Sequence, residues 1–174
     1  LAHQACKGGL DLIGELLDQK QLTDSENSSF NRREFIPALT FLTDTLRLVK
    51  HRADAKDMRL VLDCSFEGAL FIDLERMRRA ITNLIVNAIK FSPRGSTVEV
   101  VCKHEHAWVI LTVRDYGIGI PPQDISHLFE SFTSTKRTGT EGEKPFGLGL
   151  SITKQIAEEH QGKIEVESTE GSGS

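Results

Sequence analysis

The sequence predicts an α+β fold: a two-layer sandwich with helices on one face of a mixed, mainly antiparallel sheet, preceded by a short separate helix. Three observations predict it. Two long stretches, Pro37 to Ala55 and Arg76 to Phe91, repeat apolar residues at helical spacing. Thr97 to Lys103 (TVEVVCK) and Trp108 to Arg114 (WVILTVR) alternate apolar and polar residues on either side of a short polar turn, which reads as a hairpin. Strands and helices also fail to alternate strictly, as a parallel βαβ chain would require. With 174 residues, 39% of them hydrophobic, the chain can build one cored domain plus a short appendage.

The appendage comes first. Cys6, Leu10, Ile13, Leu17 and Lys20 recur at spacings of four and three, with Leu12 and Leu16 beside them, a stripe wide enough for a helix that packs on another helix. The polar run Thr23 to Asn31 breaks this period as a linker. Residues 1–22 therefore read as a separate helical piece or as a peripheral helix folded back on the main domain. After the linker come the helix Pro37 to Ala55 and two short strands, Arg59 to Ser65 and Ala69 to Ile72. Asp73 is a suitable N-cap for a helix that runs to Phe91 and stops at Ser92-Pro93-Arg94-Gly95. The hairpin follows. Helix patterns return at Gln123 to Phe129 and Leu148 to His160, and Lys163 to Glu167 (KIEVE) alternates as a last strand.

Charge and cysteine usage narrow the partners. A net charge of -4 with both signs interspersed gives no reason to expect nucleic acid or an anionic membrane surface. Cys6, Cys64 and Cys102 lie far apart without C-x-x-C or zinc-ligand spacing, so buried free thiols in a reducing compartment are expected. No run approaches the length of a membrane span.

Four places carry chemistry. On the helix to Phe91, the apolar stripe is Met77, Ala80, Ile81, Leu84, Ala88 and Phe91, while Arg76, Arg79, Asn83, Asn87 and Lys90 form a second face. Asparagine is a poor helix former. Two of them four apart read either as a solvated face or as amide oxygens aimed at a hard cation, with Lys90 a turn on for an anion. Asp115 to Pro121 (DYGIGIP) directly follows a strand. It is either a tight turn or a place where Gly117 and Gly119 let the backbone approach a flat ligand, with Asp115 as a hydrogen-bond acceptor. Prolines 121 and 122 exclude the dinucleotide fingerprint there. Leu128 to Phe132 (LFESF) is an apolar cluster, a core plug or a loop anchor. Last, Lys136 to Lys154 passes from a polar loop into Gly147-Leu148-Gly149-Leu150 at a helix start, where free N–H groups and the helix dipole favour phosphate; it lacks the G-K-[ST] of a Walker loop.

In this order and spacing the pieces resemble the ATP-binding catalytic domain of sensor histidine kinases, in the superfamily shared with DNA gyrase and MutL, whose sandwich is of the Bergerat type. NLIVNAIKF is similar to its N box, DYGIGIP to its first glycine box, LFESF to its F box, GLGLSI to its second glycine box and the terminal GSGS to the start of its third. The resemblance implies that residues 1–22 end the second helix of a dimerisation and histidine-phosphotransfer hairpin, 23–31 are a linker, and 32–174 are the catalytic domain without its last strand.

The resemblance further implies cofactors, ATP and Mg²⁺, and a site. Asp115 accepts the adenine amino group, Phe91 lies beside the base, and Gly117, Gly119, Ile120 and Phe132 belong to the nucleotide pocket. Asn87 with Asn83 holds Mg²⁺, and Lys90 and lid residue Lys136 face phosphate. Gly147, Leu148, Gly149 and Leu150 offer N–H groups to the triphosphate. Hydrolytic members carry a glutamate where this chain has Asn83, which cannot act as a base, so transfer to an acceptor is expected rather than hydrolysis. His3 lacks the acidic neighbour of the family's acceptor histidine, so no residue of this chain is expected to receive the phosphoryl group. Implied partners are the histidine-bearing dimerisation helices of a homodimeric parent and a response-regulator receiver domain. The implied setting is cytoplasmic, with an inner-membrane anchor on the parent as one option the family offers. Two rivals within the superfamily are a serine/threonine kinase or ATP-driven clamp, and a degenerate scaffold. Pro145-Phe146 departs from the family's G-x-G-L-G-L, removing a free hinge and one N–H.

Overall fold

The computed structural model describes residues 32–130, 139–142 and 149–174. The chain divides into two units, Leu1–Arg33 and Glu34–Ser174, and of the first only Arg32 and Arg33 are among the described residues. The readings of residues 1–31 as helix and linker, with Cys6 and His3, lie outside the described residues. The described elements run β1 (Arg33–Pro37), which starts at the boundary residue, α1 (Ala38–Ala55), β2 (Arg59–Cys64), β3 (Ala69–Asp73), α2 (Leu74–Phe91), β4 (Thr97–Glu105), β5 (Trp108–Asp115), α3 (Pro122–Ile125) and α4 (Gly149–Glu159).

β4 lies in the middle of a three-stranded sheet, parallel to β2 and antiparallel to β5, while β1 and β3 form a separate pair. A parallel pair needs a crossover, which β3 and α2 supply. The β4–β5 hairpin closes through His106 and Ala107, with Glu105 opposite Trp108 and His106 at φ +54. Val98, Val100 and Cys102 alternate into the core, and across from them Val113 and Leu111 pack on the same cluster. In that register Asp115 stands opposite the fully buried Val98. The carboxylate at the end of β5 therefore occupies a core-facing position, the origin of its later properties.

Helix α1 buries Ala38, Phe41, Leu42, Thr45, Val49 and Ala53 on one stripe. The Thr45 hydroxyl is satisfied within the helix by donating to the Phe41 carbonyl at 2.8 Å. Helix α2 buries Ala80, Ile81, Ile85, Ala88 and Ile89. The expected stripe therefore needs correction: Ile85, the most buried residue of the helix, and Ile89 belong to it, whereas Met77, Leu84 and Phe91 are half-buried. α2 is flanked on both sides, by α1 and by α4, so its apolar surface is wider than a single-sided stripe.

Asp73 ends β3 and caps α2, accepting from the Arg76 N–H at 3.1 Å. Its own N–H donates to His160 Nε2 at 3.0 Å, and His160 Nδ1 lies 2.7 Å from the Ile156 carbonyl. A carbonyl only accepts, so Nδ1 carries the proton. Asp73→Ala is expected to lower stability by about 1 kcal/mol, seen as a reduced urea midpoint with unchanged slope.

Three expectations are corrected. Strand β1 has no mark in the sequence pattern, because Phe35 is 74% exposed and its apolar partner is Phe71 on β3, 4.9 Å away between ring centroids. The helix expected over Gln123 to Phe129 is only Pro122–Ile125; it continues as tight turns in which the N–H groups of His127, Leu128 and Glu130 bond three residues back. Lys163 to Glu167 alternates exposed and half-buried residues but joins neither sheet. Alternation reports half-burial of side chains, whereas a strand needs a partner's backbone within reach. Cys64 and Cys102 are free thiols, as expected, and stand in register on adjacent strands. Burial, and then the Cys64 neighbour, pushes the Cys102 thiol up to about 12.

Candidate functional site

The polar stripe of α2 is not a solvated face, because α4 covers part of it. Arg76 pairs with Glu159, and Asn83 Nδ2 donates to Thr153 Oγ1 at 3.0 Å. The Thr153 hydroxyl in turn donates to the Gly149 carbonyl at 2.9 Å. A Cβ on Gly149 would overlap the Asn83 amide. The first N-box asparagine and the second-box glycine thus explain each other: the start of α4 sits against Asn83 because position 149 has no side chain. Asn83→Ala is expected to cost about 1 kcal/mol of stability, read from thermal unfolding, because Thr153 loses a partner that joins two helices.

One turn on, Asn87 is half-buried with no hydrogen-bond partner among the described residues. Lys90 and Phe91 follow, with Lys90 Nζ 5.0 Å from the Phe91 ring centroid. Here the glycine loop meets the helix. The Ile118 N–H donates to the Phe91 carbonyl at 3.1 Å, and a Cβ on Gly117 would overlap that carbonyl. Gly117 is therefore fixed as glycine by close approach to α2.

Asp115 Oδ1 accepts from the Gly117 N–H at 2.8 Å. Burial raises the Asp115 carboxyl above the usual range, and the N–H groups of Gly117 and Ser174 oppose that rise. A carboxylate kept partly out of water beside the end of α2 is an acceptor positioned for a donor of fixed shape. Gly119 does something else. At φ +62 it faces away, toward the Thr169 carbonyl, and the loop docks on the terminal turn. Gly171 N–H donates to the Ile118 carbonyl at 2.8 Å, and Ile120 N–H to Ser168 Oγ at 2.8 Å. The main chains of Asp115 and Ser174 also bond to each other.

Asn83, Asn87, Lys90, Phe91, Asp115, Gly117, Gly149 and Leu150 thus gather around α2, while Gly119 and Ile120 anchor the loop from behind. Phe132, Lys136, Gly147 and Leu148, with Pro145 and Phe146, lie outside the described residues. Leu128 and Phe129 are half-buried, as a core plug or an anchor would be. Among the described residues no cluster of three His, Cys, Asp or Glu side chains is arranged for a metal ion. Three participants carried no signal in the sequence: Lys56, Thr140 and Ser168. A lysine at a helix end and hydroxyls in polar runs look like ordinary surface residues until their partners, distant in sequence, are known.

The model of the histidine kinase-, DNA gyrase B- and HSP90-like ATPases matches residues 72–174. The chain belongs to that family. The matched region of this ATPase-family chain begins at β3 and holds α2, the glycine loop, α4 and the terminal turn. Sensor protein SrrB of Staphylococcus aureus (strain NCTC 8325 / PS 47) is 32% identical over 164 residues, covering 93% of this chain. The chain spans 27% of the length of that relative. Among solved structures, the mycobacterial sensor histidine kinase MprB superimposes with a TM-score of 0.64 at 28% identity, over 74% of this chain and 80% of that one. The Acinetobacter baumannii histidine kinase AdeS shares the fold, with a TM-score of 0.75 at 22% identity over 98% of this chain and 79% of that one. The mixed α+β sandwich expected from the sequence is the architecture of these neighbours. Among the described residues no helix is long and apolar enough to cross a membrane.

Proposed function

We propose that this chain binds Mg-ATP and transfers the γ-phosphoryl group to a histidine on the dimerisation helices of a sensor kinase. The observation that carries the reading is Asp115. One carboxylate oxygen is taken by the Gly117 N–H, and the side chain stands on the core-facing side of β5 where the loop meets Phe91. A carboxylate has more lone pairs than the Gly117 and Ser174 N–H groups fill, so Asp115 can accept from the amino group of adenine; guanine presents an acceptor there and is refused. Phe91 supplies a flat apolar flank beside the base, and Lys90 offsets phosphate charge. Gly149 and Leu150, at the start of α4, offer N–H groups to phosphate oxygens.

Asn87 fits a Mg²⁺ ligand, since its amide has no other partner among the described residues and Mg²⁺ accepts one or two protein oxygens beside those of phosphate. Asn83 contributes less, because its amide nitrogen is held by Thr153 and its oxygen lies against Gly149. Bound there, Mg²⁺ supplies positive charge across the phosphates. In the transfer, the bond from the γ-phosphorus to the β–γ bridging oxygen breaks, a bond to the histidine nitrogen forms, and ADP leaves. Asn83 stands where a base for water would be required, and an amide cannot take a proton from water. Donation to a positioned nitrogen therefore outruns hydrolysis.

The partners that follow are the dimerisation helices of a homodimeric parent and the receiver domain of a response regulator, in the cytoplasm, with the parent anchored at the inner membrane. The test mixes the chain with γ-labelled ATP, Mg²⁺ and a separately prepared acceptor hairpin from a sensor kinase. Label is expected on the hairpin and not on this chain alone. Self-labelling, or Mg²⁺-independent ATP binding in calorimetry, overturns the proposal.

A further inference from the structure

Lys56 is only 4% exposed, a depth at which a lysine needs an acceptor for every ammonium proton. It has three. From the C-cap of α1, Nζ donates to the carbonyls of Ile89 and Lys90 at 3.0 and 3.1 Å and to Thr140 Oγ1 at 2.6 Å. The two carbonyls belong to the last turn of α2, where the helix leaves acceptors unfilled and its dipole is negative. Thr140 completes the junction. Its N–H donates to the Lys90 carbonyl at 3.1 Å, and its hydroxyl, accepting from Lys56, has the Ser92 carbonyl at 2.8 Å for its single proton. Just outside, Arg94 pairs with Asp57 and lies 3.4 Å from Glu141. Residues 139–142 are thus tied to the turn that carries Lys90 and Phe91.

We propose that Lys56 and Thr140 are positioning residues for the nucleotide. The buried ammonium fixes the last turn of α2, and with it Lys90 and Phe91, while the same ammonium anchors residues 139–142 beside them. Lys56 is not itself a phosphate ligand, because its three protons are committed to protein oxygens. The proposal rests on the reading that this site binds ATP.

Thr140→Val keeps the shape of the side chain and removes its hydroxyl, and with it the 2.6 Å bond from Lys56 that ties residues 139–142 to the end of α2. Calorimetry with Mg-ATP on the whole chain, at a temperature well below unfolding, is expected to show about a tenfold weaker affinity. Thr140→Ser is expected to restore it, while the unfolding temperature of ligand-free Thr140→Val shifts by only a few degrees, about what one lost hydrogen bond accounts for. Lys56→Met weakens both affinity and stability. Combined with Thr140→Val it weakens affinity no further than Lys56→Met alone, since both act on one junction. ATP binding by the unaltered chain and by Thr140→Val with equal affinity overturns this proposal and leaves the reading of the site standing. Failure of the unaltered chain to bind ATP overturns both.

Discussion

Replacing Asp115 by Asn is expected to weaken ATP binding about a hundredfold or more while leaving the folded chain at least as stable at neutral pH. The functional half follows from donor and acceptor counts. Asn keeps one oxygen, and the Gly117 N–H at 2.8 Å holds it. The amide nitrogen then points where the adenine amino group must donate, so a donor meets a donor. A hydrogen bond to a charged group contributes about 1.5–3 kcal/mol, and leaving its partner unmet adds to the loss. The stability half follows from the raised carboxyl. Asp115 titrates above its ordinary value of 3.8 in the folded chain because burial disfavours the charge. Below 3.8 both states hold the proton and nothing is lost. As pH climbs through the folded value, the unfolded chain is already ionised and the folded chain resists, so wild-type stability falls and then levels off. The Asn variant lacks that fall, and its advantage over wild type grows across the same window and stays constant above it. Thermal unfolding from pH 3 to 8, with calorimetry for ATP, measures both halves. Unchanged affinity removes Asp115 from the pocket, and a variant that loses stability relative to wild type as pH rises refutes the burial argument.

What the sequence made legible is what local patterns encode. The hairpin strands were found within two residues of their observed ends, because alternation, a short turn and one half-buried face all point to the same register. Helix α2 was bounded correctly at both ends, by a cap at Asp73 and a stop at Ser92-Pro93-Arg94-Gly95. Asp115, Asn83 and Gly149 were picked out as residues of unusual type in their contexts. Their relations were not legible. Nothing near Asn83 says that it packs on Gly149, far along the chain, or that Thr153 accepts from its amide. Asn83 and Asn87 read as an equivalent pair, yet one joins two helices and the other has no protein partner among the described residues. Lys56 lies deepest of all in this respect. Its side chain is chosen by the carbonyl end of a helix 33 residues on, a backbone feature with no residue signature. The misread segments fail for the same reason. β1 is held by its pairing with β3, by the Phe35–Phe71 contact and by Ile36 alone against the core, and Lys163 to Glu167 has a strand's pattern without a strand's partner.

Gly119→Ala should destabilise the chain by roughly 3 kcal/mol, and most of that cost comes from one carbonyl and not from backbone conformation. Position 119 has φ +62, but Asp57, His106 and Gln161 hold similar angles with full side chains. A left-handed angle alone costs about 1–2 kcal/mol and is tolerated at those three places. What differs at 119 is that a Cβ would overlap the carbonyl of Thr169. That carbonyl cannot rotate aside as a side chain would, because Thr169 is bridged to Gly173, and Ser168 is bonded to the Gly173 carbonyl and to Ile120. Relief requires the glycine loop and the terminal turn to separate, with loss of the bonds from Gly171 to Ile118 and from Ile120 to Ser168. Gly95 is the control: its φ is +79 and nothing lies within 4 Å of a Cβ there. Gly95→Ala is expected to cost about 1 kcal/mol, and Gly119→Ala to lower the unfolding temperature by roughly 6–12 °C. The Gly119 change also weakens ATP binding, since Asp115 and Gly117 are held by the strand and loop that the docked turn supports. Equal effects of the two alanines would mean that the terminal turn does not brace the loop, and Asp115 would then owe its position to β5 alone.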